Sequence, residues 1–172
     1  LLMDNSTSMI GRDMEVTNVR PALEGIRSAF EHDKLTEFLH EFKEGTMVSR
    51  KLGAAFAGLL YLSEKVGRGF GETVSIITFA DDAEVLEIDG KPYITTSSGS
   101  KGVLNKLAGL IIENVVNRSG GATNMDSAIE RAAEVIKKFP KGKRENPTMI
   151  VMLTDGFDTS QRVKEAVTEQ FS

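Results

Sequence analysis

Leu1-Leu2-Met3-Asp4-Asn5-Ser6-Thr7-Ser8 decides the reading of this chain, because a short apolar run stops abruptly at an acid followed by hydroxyls on alternate positions. The apolar part reads as a buried strand and the remainder as the loop leaving its carboxyl end. Asp4, Ser6 and Ser8 put three oxygen donors within one turn of chain, a set that suits a hard divalent cation held at about 2.0–2.6 Å. The same residue types also end strands as N-caps of a following helix, so the loop alone leaves both readings open.

Two distant stretches bear on the choice. Gly120-Gly121-Ala122-Thr123-Asn124 is a glycine turn placed just ahead of Ala128, Ile129, Ala132, Ala133 and Ile136, which repeat at helical spacing. Thr148-Met149-Ile150-Val151-Met152-Leu153-Thr154-Asp155-Gly156 is a continuous apolar run of the kind expected for a strand buried on both faces, and it too ends in an acid. In an open parallel sheet the carboxyl ends of neighbouring strands share one edge, where ligand crevices form, so the three loops are expected to converge.

On these residues the chain resembles a von Willebrand factor type A domain with a metal-ion-dependent adhesion site. The Asp-x-Ser-x-Ser signature is Asp4, Ser6 and Ser8, Thr123 matches the threonine of the second loop, and Asp155 matches the aspartate of the third. The resemblance implies an α/β, Rossmann-like three-layer sandwich: a mostly parallel central sheet with helices on both faces. The family's closing strands after the third loop are absent from this stretch, so the sheet is expected to look unfinished. The resemblance further implies a metal site at Asp4, Ser6, Ser8, Thr123 and Asp155 for Mg²⁺, with Mn²⁺ or Ca²⁺ as substitutes. Ser6 and Ser8 would coordinate directly, Thr123 directly or through water, and Asp4 and Asp155 largely through water or by holding the hydroxyls. A cation with mostly neutral ligands seeks a further anionic oxygen. The implied function is capture of an Asp or Glu carboxylate on a partner protein, in settings that span extracellular adhesion and intracellular complex assembly, the latter including domains working beside AAA+ ATPases.

Composition bounds the alternatives. With 172 residues, 40% of them hydrophobic and 27% charged, the chain is one globular domain of ordinary make-up, long enough for a sizeable core. It opens inside what reads as a central strand, so it is expected to be part of a longer protein. A net charge of -4 argues against nonspecific nucleic-acid binding, which needs a concentrated basic face. The basic residues Lys137, Lys138, Lys141, Lys143 and Arg144 read as a solvated connection after a helix C-terminus. No membrane-spanning run is visible. The absence of cysteine excludes disulfides and thiolate metal sites and points to a reducing, cytoplasmic compartment.

Between the first loop and the second strand the chain carries about thirty-five residues more than the family's usual economy. This helical insertion, at about residues 12–49, has Leu23, Ile26 and Phe30 on one helical face and Leu35, Phe38, Leu39 and Phe42 on another. Either it packs on the domain or it forms a rim that selects the partner. His32 and His40 both fall here, eight residues apart without an aligned acid, and read as exposed side chains rather than zinc ligands. A third helix around Leu52, Ala55, Phe56, Leu59 and Leu60 is apolar over much of its circumference and should be buried. Thr73 to Phe79 reads as the second strand, with Ala83 to Ile88 pairing back through Asp81-Asp82, and Asp89-Gly90-Lys91 as a hairpin turn before a short edge strand at Tyr93 to Thr96.

Two further function classes stand beside the binding module. A phosphoryl-transfer enzyme of the haloacid dehalogenase type would use Asp4 as nucleophile and Asp155 as a magnesium ligand, but it expects a second acid where Ser6 stands, and no histidine lies near the loops as a general base. The chain is therefore read as non-catalytic. The last class is a scaffold domain that binds no metal.

Overall fold

The computed structural model describes residues 1–65, 72–95, 101–117, 120–140, 142 and 147–156. The apolar positions Val163, Ala166, Val167 and Phe171, whose spacing predicts a helix after Asp155, residues 96–100 of the polar stretch Thr96 to Gly102, and Lys141, Lys143 and Arg144 of the basic connection lie outside the described residues.

The sheet grows from β1, Leu2–Asp4, which pairs in parallel with β5, Ile77–Phe79, on one side and with β8, Met152–Leu153, on the other. Antiparallel β6, Ala83–Val85, extends it beyond β5, so the order is β6-β5-β1-β8. The period of two places successive side chains on opposite faces. Met3 and Ile76 join one apolar cluster, and Leu2, Ile77 and Phe79 join another. α5, Met125–Lys137, covers the second face through Ala128, Ala132 and Val135. The first face is covered by α3, Arg50–Lys65, and α4, Lys101–Ile111. This is the three-layer α/β sandwich the sequence implies.

Two strands differ from expectation. The run Thr73 to Phe79 is divided: β4, Thr73–Val74, leaves the main sheet and pairs antiparallel with β7, Ile94–Thr95, while only Ile77–Phe79 joins β1. Between them Ser75 turns its hydroxyl onto Pro92 O at 2.7 Å. The run from Thr148 forms a strand only over Met152–Leu153, and both residues are half-buried, not enclosed on two faces. Its pairing with β1 accounts for this: Leu2 N–H donates to Val151 O, while Met149 and Ile150 lie outside that register and are exposed. The expected turn at Asp89-Gly90 is present, with both residues at positive φ, the geometry a two-residue hairpin loop demands, and Ile88 and Lys91 bridge across it.

The insertion is tied off at its root. β2, Met14–Glu15, pairs antiparallel with β3, Met47–Val48, and Arg50 N–H donates to Gly11 O at 2.9 Å. Between these strands run α1, Arg20–Ala29, and α2, Asp33–His40. Their apolar faces do not form a separate rim. Ile26, Phe30, Leu35, Phe38, Leu39 and Phe42 are all buried in the main cluster beneath α3 and α4. His32 is partly buried as well, contrary to the exposed position expected for it, and its Nδ1 has no hydrogen-bond partner. His40 is exposed.

Candidate functional site

Parallel pairing brings the carboxyl ends of β1, β5 and β8 to one edge of the sheet. The register Leu2↔Met152 and Met3↔Leu153 carries Asp4 and Thr154 forward side by side. There the Thr154 hydroxyl donates to Asp4 Oδ2 at 2.6 Å, and the Ser6 backbone N–H donates to Asp4 Oδ1 at 2.9 Å. Asp4 and Ser6 are fully enclosed, at 0% exposure, rather than lining an open crevice as their loop position suggested. Each oxygen of this carboxylate is thus engaged in shaping the loop. The reward is the placement of two neutral oxygens: Ser6 Oγ and Ser8 Oγ stand 3.0 Å apart, with Ser8 facing solvent. From Thr7 the chain tightens into a 3₁₀ turn, Thr7–Ile10, which includes Ser8 and is anchored by the buried Met9.

The second loop is laced to the first through its backbone. Gly120 N–H donates to Asn5 O at 2.6 Å, Thr7 N–H donates to Gly121 O at 3.1 Å, and the Thr7 hydroxyl donates to Gly120 O. Asn124 N–H reaches Ala80 O at the end of β5, and Asn124 Oδ1 caps α5 by accepting from Ser127 N–H at 3.1 Å. Asp81 Oδ1 accepts from Ala122 N–H at 2.8 Å. Thr123 is held between these contacts and is 3% exposed. Behind the first loop α4 ends in a single π-helical turn, Ile112–Val116, and Asn114 O there accepts from Asn5 Nδ2 at 3.2 Å. Asn5, Thr7 and Asn124 therefore shape the loops.

Close approach of the two loops makes Gly120 indispensable. A Cβ there would run into the Ala80 methyl group and stand 3.4 Å from Asn5 O. Gly120→Ala is expected to destabilise the domain by about 1–3 kcal/mol, the usual cost of overpacking, and to push Thr123 away from Ser6 and Ser8. Urea denaturation checks the first effect; unchanged stability would show that the second loop is not seated on Ala80.

Asp155, in the third loop, is joined to the other side of the site by a residue the sequence reading passed over. Arg50, the first residue of α3, donates from Nη1 to Asp155 Oδ2 at 3.0 Å and from Nε to Asp13 Oδ1 at 2.9 Å, and its Nη2 pairs with Asp13 Oδ2. The Asp155 side chain is 6% exposed and that of Arg50 37%. Hydrogen bonding to Arg50, reinforced by its charge, holds the Asp13 carboxyl below the ordinary range, and Asp13 and then Asp155 hold the guanidinium more firmly charged. A basic residue opening a helix runs against the helix dipole, and that was the one available signal for Arg50. The place of Thr154 opposite Asp4 depends on the parallel register, for which the sequence carries no signal.

The structure thus gathers Asp4, Ser6, Ser8, Thr123 and Asp155 at one sheet edge, through direct bonds for Asp4, Ser6 and Ser8 and through tied loops for Thr123 and Asp155. A donor set of two acids and three hydroxyls, all oxygen, is one that hard cations take and soft ones do not. Among the described residues no group of three or more His, Asp or Glu side chains converges, so any cation here would rest largely on hydroxyl oxygens. Two oxygens 3.0 Å apart also have the spacing of adjacent ligands around an octahedral ion with bonds of about 2.1 Å.

Comparison with protein families returns a match to the model of the von Willebrand factor type A domain over residues 1–157. Comparison with solved structures returns no match.

Proposed function

The chain belongs to the von Willebrand factor type A family, generally a protein-interaction module, and from that premise we propose that it captures an acidic residue of a partner protein through a divalent cation bound at Asp4, Ser6, Ser8, Thr123 and Asp155. The observation that carries this reading is the pair of hydroxyls, Ser6 and Ser8, hydrogen-bonded to each other at 3.0 Å in a loop whose buried carboxylate, Asp4, is fixed by Ser6 N–H and Thr154. Such a cation would supply a Lewis-acidic docking point for an incoming carboxylate. The chain's own residues supply its orientation: Asp4 locks the first loop, Asn5 and Thr7 seat the second upon it, and Arg50 steers Asp155. Mg²⁺ fits the all-oxygen set, with Mn²⁺ or Ca²⁺ as substitutes.

The catalytic alternative is disfavoured by geometry. A nucleophilic Asp4 needs an oxygen open to an incoming phosphoryl group, whereas both its oxygens accept hydrogen bonds and the residue is fully buried. Among the described residues no helix is long and apolar enough to cross a membrane. Cytoplasmic residence and work beside an AAA+ ATPase remain part of the proposal through the family resemblance and the lack of cysteine.

Calorimetric titration tests the reading. The domain is expected to bind one Mg²⁺ per chain, and Thr123→Ala to weaken that binding by about 10-fold or more. A flat titration with Mg²⁺, Mn²⁺ and Ca²⁺ would leave the metal-free scaffold as the better description, and metal-dependent hydrolysis of a phosphate ester would promote the enzyme.

A further inference from the structure

Arg50 places a fixed positive charge against a site that is proposed to bind a cation, and its two partners explain why. The first and third loops and the segment just after the first carry three carboxylates that do not converge on one point: Asp4 is engaged by Ser6 N–H and Thr154, while the Arg50 guanidinium bridges Asp13 and Asp155. Together these four groups leave two negative charges, which one divalent cation neutralises. Without the guanidinium a third negative charge would remain, and the metal-loaded site would repel the carboxylate it has to accept. The guanidinium is also well fixed. Its backbone N–H bonds Gly11 O, just past the first loop, and a Cβ on Gly11 would stand 3.7 Å from Arg50 Nε. Arg50 is therefore packed into the base of the ribbon β2–β3, and its planar fork spans two carboxylates at once, which a lysine ammonium does less well.

We infer that Arg50 is a built-in counter-charge that weakens metal binding at this site in exchange for stronger capture of an anionic ligand by the metal-loaded form. The inference rests on the proposed metal site and adds to it a residue outside the five signature positions. It assigns Arg50 opposite effects on two binding steps, whereas a residue that only held the loops in place would weaken both when removed.

The test is Arg50→Gln, which keeps a hydrogen-bonding side chain and removes the charge. Mg²⁺ affinity by calorimetry is expected to rise by about three- to tenfold, the order of a screened repulsion between a monovalent and a divalent cation. Binding of a capped glutamate, acetyl-glutamate amide, to the Mg²⁺-saturated protein, followed by NMR shifts, is expected to fall by a similar factor. Arg50→Lys should stay near the unsubstituted protein in both measurements. Asp13→Asn supplies the opposite sign and guards against a folding failure of the first variant: it removes a negative charge, so Mg²⁺ affinity should drop and capped-glutamate binding should strengthen. Unchanged or reduced Mg²⁺ affinity in Arg50→Gln, or capped-glutamate binding that is absent or insensitive to Arg50, overturns the inference while the metal site stands. Failure of the unsubstituted chain to bind Mg²⁺ overturns both.

Discussion

Asp4→Asn is expected to remove at least about half of the stabilisation of this domain by Mg²⁺. The unsubstituted protein at a free Mg²⁺ concentration about 100 times its dissociation constant should gain about 2.7 kcal/mol of unfolding free energy. In the variant that gain should fall to about 1.4 kcal/mol for a 10-fold loss of affinity and about 0.4 kcal/mol for a 100-fold loss, the range expected when a charge beside the ion and the carboxylate that orients its ligands are removed. The amide also has only one oxygen. The carboxylate serves two donors, Ser6 N–H and the Thr154 hydroxyl, so the amide leaves one of them facing its own NH₂ group inside an enclosed site. An added cost of about 1–3 kcal/mol in the absence of metal follows from that buried unpaired donor. Urea denaturation with and without Mg²⁺ separates the two effects. Equal Mg²⁺ stabilisation in the variant would remove Asp4 from the metal site, and unchanged metal-free stability would contradict its two hydrogen bonds.

Phe42→Ala is expected to destabilise the domain by about 3–5 kcal/mol, the range for truncating an enclosed phenylalanine. The ring is 5% exposed and packs against Phe38 at a centroid distance of 5.2 Å and against Phe56 of α3 at 4.5 Å. That sandwich joins the insertion to the helix lying on the sheet. The consequence reaches beyond one residue: excision of residues 17–45 with a short Gly/Ser bridge should yield no cooperatively folded product, since Ile26, Phe30, Leu35 and Leu39 would leave the main core with it. Hence the insertion cannot be treated as surface decoration, and its part in partner choice must be probed by substitutions on its exposed parts. Met14 and Met47 of the ribbon and Ile10 beside the first loop are exposed apolar side chains suited to that purpose. A loss below about 1 kcal/mol for Phe42→Ala, measured by urea denaturation, would detach the insertion from the core and restore the simpler view.

How much of this was legible beforehand depends on the range of the interaction. Leu1 to Met3 announced a strand and Asp4 its end, because a carboxylate needs hydrogen-bond partners that an apolar run does not offer and that here come from Ser6 N–H and Thr154. Ala128, Ile129, Ala132 and Ala133 announced α5, whose buried face they form. The order of oxygen-bearing loops along the chain was likewise readable, since each follows a strand or precedes a helix. The amphipathic pattern of Leu35, Phe38, Leu39 and Phe42 showed that this face would be buried. It could not say against what, and a surface rim and a shared core have the same period.

The sequence by itself thus determined the strand-to-loop positions of Asp4 and Asp155 and the presence of oxygen donors there, because these follow from local periodicity and chain stereochemistry; the α/β class was implied by the family resemblance that those residues carry. Tertiary structure alone decided that Asp4 would be enclosed, that Thr154 would bond to it across 150 residues, and that Arg50 would reach Asp155 across 105. It also decided that the run from Thr148 would pair over only two residues and that the insertion would be part of the core. The physical reason is common to all of these: burial and ion pairing depend on which surfaces meet when the sheet closes its register, and contacts between residues so far apart leave no periodic trace in the chain.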